Sequence, residues 1–442
     1  MNYAQAVLYL NSFFNFERVS NFSYSRAFNL KRMKTLLRLF NHPERSYKIV
    51  LVAGTKGKGS TANFLYSLLS AHSLCTGLYT SPHLIDFRER MRVLGKWISK
   101  SELAQIVSDI RHVIHREEKR TRKSAYFTFF EISTLVAVLY FARQKVDWAV
   151  FEVGMGGRLD ATNALHQTLS VFTLIGLDHE EYLGKTVRLI AGEKAAILKP
   201  GMFFVSANQT KEAESVIRAY AKKVRAKGFF SGGEFRYQIR DIDTSGSLFD
   251  FKMNRLKLRG CQIRLPGTFQ VENAALAIAA LFLLSKKHRI LIAEERVKKG
   301  LFQANWPGRF EIIRNTSNRM IILDGAHNTD SIKALTSNIK RIFPDKRVAT
   351  IFGISREKNL SAILPILRKR SDTLIAIQST NDRAQIQKKV VETAIPCFEK
   401  VIPASSTSEA LRYLRNFLAP GTIGLVTGSL FLVGEVREIL KR

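Results

Sequence analysis

Gly54-Thr55-Lys56-Gly57-Lys58-Gly59-Ser60-Thr61 is the stretch with the plainest chemistry in this chain. The apolar run Ile49 to Ala53 precedes it and reads as a buried parallel strand; Ala62 to Leu69 follows and reads as a helix with Phe64, Leu65, Leu68 and Leu69 on one face. Strand, glycine-rich turn and helix start form the context of a phosphate-binding loop. Glycines let backbone N–H groups turn toward phosphate oxygens, and the helix N-terminus adds partial positive charge. In that reading Lys58 reaches the terminal phosphates, and Ser60 or Thr61 offers a hydroxyl to magnesium. The spacing departs from the general loop. Only Thr55 and Lys56 separate Gly54 from the Gly57-Lys58 pair, and Gly59 separates Lys58 from Ser60.

A second group of reactive side chains sits at other strand ends. The apolar run Trp148 to Phe151 stops at Glu152, and the glycine-rich stretch Val153 to Asn163 follows. An acidic residue there is where a nucleotide-hydrolysing site holds its metal. Ser81 and His83 lie just past a short strand, Thr76 to Tyr79; Asp178-His179 follows a strand expected over Ser170 to Leu177. Ligands bind outside such strand ends in open parallel sheets. Lys194 lies in a helix expected from Val187 to Leu198, and periodicity alone reads it as a surface lysine.

The elements that must position these residues alternate. Tyr3 to Phe14, Ala27 to Phe40, Ser101 to His115, Phe127 to Ala142 and Gly267 to Leu284 carry helical spacing, and a basic helical stretch runs from Lys286 to Gln303. Residues 200 to 265 read as β-rich and irregular. After Trp306-Pro307-Gly308 the pattern breaks, then alternates β/α to the end, with Asp324-Gly325-Ala326-His327-Asn328 and Thr427-Gly428-Ser429 at strand ends. The fold class is therefore α/β: an N-terminal P-loop ATPase-like parallel-sheet domain over 1–306 and a smaller C-terminal Rossmann-like α/β domain over 307–442.

Composition narrows the setting. Of 442 residues, 69 are Lys or Arg against 37 Asp or Glu, a net charge of +32. Nucleic acid, polyanionic small substrates or a basic proteome would each account for it. The basic residues are dispersed, with local clusters at Arg116 to Lys123 and Lys222 to Lys227, and no RNA- or DNA-binding motif accompanies them. Nucleic acid is therefore not expected as the partner. The longest apolar run, Ala274 to Leu284, is short for a bilayer span and suits a core helix. No signal-peptide pattern opens the chain. Cys75, Cys261 and Cys397 match no metal spacing and suit a reducing compartment, so the expected location is cytoplasmic.

Together the motifs carry a resemblance. Gly54 to Ser60 is similar to Gly-Thr-Asn-Gly-Lys-Gly-Ser/Thr, Ser81 to Leu84 to Ser-Pro-His-Leu, and Arg88 to Arg90 to the Arg-Glu-Arg of a lid loop. Glu152 to Asn163, Asp178-His179, Glu193 to Ala195, Pro307 to Arg309, Asp324 to Asn328 and Thr427 to Phe431 complete the set. The chain resembles the Mur ligase superfamily and, within it, the folylpolyglutamate synthase/dihydrofolate synthase group, over nearly its whole length. That resemblance implies an ATP-dependent ligase adding L-glutamate to the carboxylate of a folate or of dihydropteroate through an acyl phosphate, or another Mur-type amide ligase with a different acceptor. It implies ATP and two Mg²⁺ ions. Ser60, Ser81 and Glu152 would hold the first ion; His179, Glu152 and Lys194 would serve the second, with Lys194 carbamylated. ATP would be held by Gly54 to Thr61, Asn273, Arg309 and Asp324, bridged between domains, and glutamate by His327 and Ser429. The pterin would lie against Phe129, Phe130, Leu159, Asp160 and Ala161. A monomer is the family expectation. Three positions depart from the pattern: Lys56 replaces Asn, Thr329 replaces Pro, and Glu357-Lys358-Asn359 stands where Asp-Lys-Asp is common.

Overall fold

The computed structural model describes residues 1–17, 28–122, 126–314, 319–418 and 421–441. Ala27, at the edge of an expected helix, and Lys123, at the end of a basic cluster, lie outside them. Contacts divide the chain into two compact units. The first comprises 1–238, 249–262 and 271–304; the second comprises 239–248, 263–270 and 305–442.

The first unit is built on an eight-stranded sheet. Its strands are β1 Lys48–Ala53, β2 Thr76–Tyr79, β3 Met91–Val93, β4 Lys96–Trp97, β5 Trp148–Glu152, β6 Gln167–Phe172, β7 Phe203–Ser206 and β8 Lys227–Phe230. Their order is β4-β3-β2-β5-β1-β6-β7-β8. All neighbours run parallel except β2/β3 and β3/β4. β1 and β5 are continuous apolar runs because helices cover both faces, so no residue past Lys48 in either is exposed. The helix Lys58–Ala71 buries Phe64, Leu65, Leu68 and Leu69, as its periodicity predicts. The helix Phe129–Arg143 starts at a capping box, with Thr128 and Glu131 satisfying each other's backbone N–H. Glu131 also pairs with Arg32 at 2.8 Å, so it does more than complement the helix dipole.

Register places the functional loops. Val52 pairs with Glu152, Ala53 with Phe172, and Tyr79 with Phe151. The segments beginning at Gly54, Ser81, Val153 and Thr173 therefore leave adjacent strands at the same edge. β6 ends at Phe172, so Thr173 to Asp178 is loop rather than the strand expected to Leu177.

Residues 200–265 are more regular than their sequence suggests. A helix, Lys211–Lys223, separates β7 from β8, and β9 Phe235–Asp243, β10 Gly246–Met253 and β11 Leu256–Ile263 form a three-stranded sheet. The helix Thr268–His288 runs past Leu284, so Lys286 belongs to it, and the basic stretch resumes as Glu294–Gln303. By length and composition Thr268–His288 is apolar enough to cross a membrane, contrary to the shorter run read from sequence. Yet 78% of its apolar window is buried within the protein, as befits a core helix.

The second unit holds a six-stranded sheet of β12 Glu311–Arg314, β13 Met320–Leu323, β14 Arg347–Phe352, β15 Thr373–Ala376, β16 Lys400–Pro403 and β17 Thr422–Thr427, in the order β12-β13-β17-β14-β15-β16. Only β12 is antiparallel among the described pairs. Phe310, Ile322, Leu335, Ile339, Phe352 and Leu364 pack in its own core. The Rossmann-like alternation is present, with a helix Gln387–Ala394, the strand β16 and a last helix Leu430–Lys441 that the sequence reading passed over.

One core position is sharply constrained. A Cβ on Gly77, in the middle of β2, would lie 2.7 Å from the buried ring of Phe141. Gly77→Ala is expected to cost about 1–3 kcal/mol. Urea denaturation followed through the first unit should show a lower midpoint at unchanged slope; an unmoved midpoint would show that the ring yields freely.

Candidate active site

The phosphate loop is tied down from behind. Gly54, at φ 149°, could carry a Cβ only 1.9 Å from Thr173 Oγ1, and Gly57, at φ 83°, only 2.2 Å from Asn273 Oδ1. Both positions are closed to side chains by conformation and by space. The N–H groups of Thr55 and Lys56 both donate to the Leu174 carbonyl, at 2.9 and 3.2 Å. Thr55 Oγ1 donates to the Gly176 carbonyl at 3.0 Å and accepts from the Gly176 N–H at 3.1 Å. These two amides are therefore spent on the scaffold. The amides of Lys58, Gly59 and Ser60 precede the first helical bond, Thr61 N–H to the Gly57 carbonyl at 2.9 Å, and are the donors a helix start offers an anion. Lys58 Nζ folds back to the Thr55 carbonyl at 3.4 Å. Thr61 Oγ1 donates to Asn273 Oδ1 at 3.2 Å, so of the two candidate hydroxyls Thr61 braces Asn273, and Ser60 is the other.

Glu152 stands beside this loop. Its Oε2 accepts the Ser81 N–H at 3.0 Å, which joins two of the expected metal-holding residues directly. The Ser81-Pro82 peptide is cis. Behind it, buried Arg90 donates through Nε to His83 Nδ1 at 2.9 Å and makes a two-pronged pair with Glu17 at 2.9 and 2.6 Å. Its guanidinium also lies 5.2 Å from the centroid of Phe129. His83 accepting at Nδ1 carries its proton on Nε2.

The stretch after Glu152 docks on the helix Val187–Ala195. A Cβ on Gly157 would lie 2.7 Å from the Glu193 carbonyl and 3.0 Å from Lys194 Cα. The Arg158 N–H donates to the Glu193 carbonyl at 2.9 Å, and Arg158 Nε to Glu193 Oε1 at 2.9 Å. Lys194 is buried, not the surface lysine that periodicity reads. Burial and then the charge of Lys58 hold its ammonium down to about 7, against the opposing pull of Asp178, Asp160 and Glu193. Lys194 thus lies within electrostatic reach of the phosphate loop and of the Asp178 segment. His179 is exposed, at φ 50°, where its chain turns into the short helix Glu180–Leu183.

Asp160 differs from its expected part as a pterin contact. It is fully buried and accepts from the Met155 N–H at 3.0 Å, the Thr162 N–H at 3.0 Å and Thr162 Oγ1 at 2.6 Å. Burial raises its pKa, and these bonds oppose the shift. Its work is to fold the loop, with buried Ala161 beside it. Phe129 is likewise buried, while Phe130 and Leu159 are half-buried. Phe130 packs where a Cβ on Gly154 would touch its ring at 2.5 Å.

Among the described residues no group of three His, Cys, Asp or Glu is gathered for a metal. Glu152, Ser60 and Ser81 supply hard oxygens and a single carboxylate. That donor set fits Mg²⁺, which keeps waters and takes phosphate oxygens.

The second unit has its own strand-end cluster. Asp324 is buried; its Oδ2 accepts the Phe310 N–H at 2.8 Å and its Oδ1 the Ala326 N–H at 2.9 Å. Burial pushes its carboxyl up, and Arg309 pulls it back. His327 Nδ1 donates to the Gly325 carbonyl at 2.8 Å. The Gly428 N–H and Thr427 Oγ1 both donate to the Ala326 carbonyl, at 2.9 and 3.2 Å, so the His327 and Ser429 loops are joined. Ser429 Oγ accepts the Phe431 N–H at 3.2 Å. Of the departures, Thr329 begins a helix capped by Asn328, Asn359 caps another, and Glu357 pairs with Arg383. Sequence reasoning passed over Thr173, Leu174, Gly176 and Glu17. Three of them act through a backbone group or by close packing, which leaves no mark on residue type.

Residues 52–281 match the Mur ligase middle domain and 308–430 the Mur ligase glutamate ligase domain. The chain is 34% identical over 417 residues to a dihydrofolate synthase/folylpolyglutamate synthase of Bacillus subtilis, covering 93% of this chain and 95% of that one. The folylpolyglutamate synthase of Mycobacterium tuberculosis complexed with ADP superposes with a TM-score of 0.90 at 28% identity, over 100% of this chain and 98% of that one. A folylpolyglutamate synthase complexed with AMPPCP and folate superposes with a TM-score of 0.82 at 28% identity, over 100% of both chains.

Gly57→Ala tests the loop. The added methyl meets Asn273 and carries about 1–2 kcal/mol of left-handed strain. ADP affinity by calorimetry should fall about tenfold or more; wild-type affinity would place the nucleotide elsewhere.

Proposed function

The chain belongs to the Mur ligase family, and on that premise we propose that it is an ATP-dependent ligase joining L-glutamate to the carboxylate of a folate. The observation that carries the reading is the meeting, at one strand-end edge of the first unit, of the phosphate loop, Glu152 paired with Ser81, and buried Lys194. The folate and nucleotide complexes of its structural relatives support the same substrates. Dihydropteroate is proposed as a second acceptor, in line with the bifunctional Bacillus relative.

The reaction runs in two displacements. A carboxylate oxygen of the acceptor attacks the γ-phosphorus of ATP; the bond to ADP breaks and an acyl phosphate forms. The glutamate amine then attacks the acyl carbon, phosphate departs, and the amine loses its proton. Phosphoryl transfer needs in-line positioning and charge neutralisation more than covalent help. Lys58 and the amides of Lys58, Gly59 and Ser60 supply fixed positive charge at the phosphates. Glu152, Ser60 and Ser81 would hold Mg²⁺, which when bound neutralises phosphate charge. Lys194 is proposed as the carbamylated lysine. Its neutral amine would add to CO₂, releasing a proton and leaving an N-carboxylate, an oxygen donor that with His179 and Glu152 would hold a second Mg²⁺. Asn273, Arg309 and Asp324 are proposed nucleotide contacts, and His327 and Ser429 are proposed for glutamate. Phe130 and Leu159, both half-buried, are offered to the pterin as apolar surface, with buried Phe129, Asp160 and Ala161 shaping the wall behind them. A cytoplasmic monomer that does not engage nucleic acid remains the proposed setting.

Phosphate release from ATP with L-glutamate, compared for tetrahydrofolate, dihydropteroate and no pterin, tests the assignment. Release with both pterins is expected. Release with tetrahydrofolate alone would restrict the enzyme to tail extension. Silence with both, from folded protein that binds ATP, would move the acceptor to another carboxylate within the family.

Lys194→Ala should lower turnover about 100-fold while the melting temperature holds; normal turnover would discard its metal role. In the native enzyme, activity should fall as pH drops through about 7, because the protonated amine cannot take up CO₂. The sign for stability is the same. The folded value lies below the ordinary ~10.4, so the cost of burying the ammonium is full below about 7 and fades as pH rises toward that ordinary value.

A further inference from the structure

Gln209 belongs to none of the chain's motifs. It follows β7, just before the Thr210 cap of the helix Lys211–Lys223, and is 8% exposed. Backbone pairing between β6 and the chain leaving β7 ends with the Ala207 N–H on the Phe172 carbonyl, at 2.8 Å. Beyond that point the Gln209 side chain takes over. Its Nε2 donates to the Thr173 carbonyl at 3.0 Å, and its Oε1 accepts the Ile175 N–H at 3.0 Å. A parallel neighbour strand bonds the same two groups, the carbonyl before a residue and the N–H after it. The amide of Gln209 thus stands in for the peptide group that would pair with Leu174. Its second N–H donates to Ser206 Oγ at 3.2 Å, so the amide is anchored to the end of β7 as well.

Leu174 is the residue this pairing fixes, and Leu174 holds the phosphate loop. Its carbonyl receives the Thr55 and Lys56 N–H groups, and Gly176 exchanges bonds with Thr55 Oγ1. The segment is therefore divided: the Thr173 carbonyl and the Ile175 N–H turn to Gln209, while the Leu174 carbonyl and Gly176 turn to the loop. Without the Gln209 amide, a buried carbonyl and a buried N–H lose their partners. The segment recovers them only by turning, which withdraws the Leu174 carbonyl from the loop. The neighbouring Asn208 N–H bonds the Glu272 carboxylate, and Glu272 adjoins Asn273, which holds Thr61. One short stretch after β7 fastens both supports of the phosphate loop.

We infer that Gln209 is a positioning residue for the nucleotide: its side chain continues the sheet past the end of β7 and so sets the loop that receives the phosphates. The inference deepens the proposed ligase reading and rests on it for the identity of the nucleotide as a substrate. Gln209 itself touches no reacting atom.

Calorimetric titration of the full chain with ADP tests it on Q209M, which keeps the length of the side chain and loses both bonds to the segment. Affinity should fall about tenfold or more, the scale of a buried hydrogen-bonding group left unpaired. In turnover, the KM for ATP should rise and kcat fall while the KM for tetrahydrofolate holds. Y47F supplies the structural contrast. It removes a buried hydrogen bond at the other end of β1, where the Tyr47 hydroxyl donates to the Val138 carbonyl at 3.2 Å, and ADP affinity should stay at the wild-type value. Wild-type ADP affinity in Q209M, an equal loss in Y47F, or an equal rise in both KM values would each overturn the role. If Q209M does not fold, Q209N, whose amide is one methylene too short to span both partners, gives the same reading. If phosphate release fails while Q209M weakens ADP, only the ligase reading falls. If release succeeds while Q209M binds ADP as the wild type does, only the role of Gln209 falls.

Discussion

Parallel pairing of β1 on both sides is the constraint on which the first unit depends. A strand with parallel neighbours sends all three chains out at the same end, and here those ends carry Gly54, Val153 and Thr173. The phosphate loop then has no freedom to choose its shape. Its own amides at Thr55 and Lys56 are hydrogen-bonded to the segment leaving β6, while Thr173 and Asn273 occupy the space where side chains on Gly54 and Gly57 would stand. Glu152 is placed by the same pairing, one step from Val52, and then fixed by the Ser81 amide. The loop is preorganised by bonds made before any phosphate arrives, which is the condition for electrostatic help without reorganisation.

Charge is the second organising quantity. Lys194 lies within electrostatic reach of Lys58 and is walled off from water, so two cations compete for one region. Folding holds Lys194 there through backbone contacts: the Gly157 face admits no side chain, and the Arg158 amide bonds the Glu193 carbonyl next to it. The arrangement is costly for an ammonium and reasonable for a neutral or acylated amine.

Much of this was legible in residue order. The glycine loop, Glu152 after an apolar strand, and the Asp324 and Thr427 turns all stand at strand ends, because apolar runs and glycines mark such ends directly. Helix bounds such as Thr329–Ile342 follow from spacing and a capping Asn. Legibility failed where the signal lies in space. Burial of Lys194 depends on a loop some thirty-five residues earlier, which periodicity cannot see. Asp160 reads as a ligand-facing carboxylate in a motif, yet its oxygens are taken by the backbone and hydroxyl of its own loop. The helix Lys211–Lys223 was hidden by its strongly charged face, and the segment after β6 holds the phosphate loop through carbonyls that every residue possesses.

The outer strands of the two sheets are short: β4 has two residues, and β8, β12 and β16 have four each. β16 ends in a proline and opens with a lysine, and β8 also opens with a lysine. Short, charged or proline-ended borders deny an incoming chain a template for edge-to-edge pairing. With a surplus of positive charge adding mutual repulsion between copies, the chain is protected against fibre-like self-association by the geometry of its margins as well as by its composition.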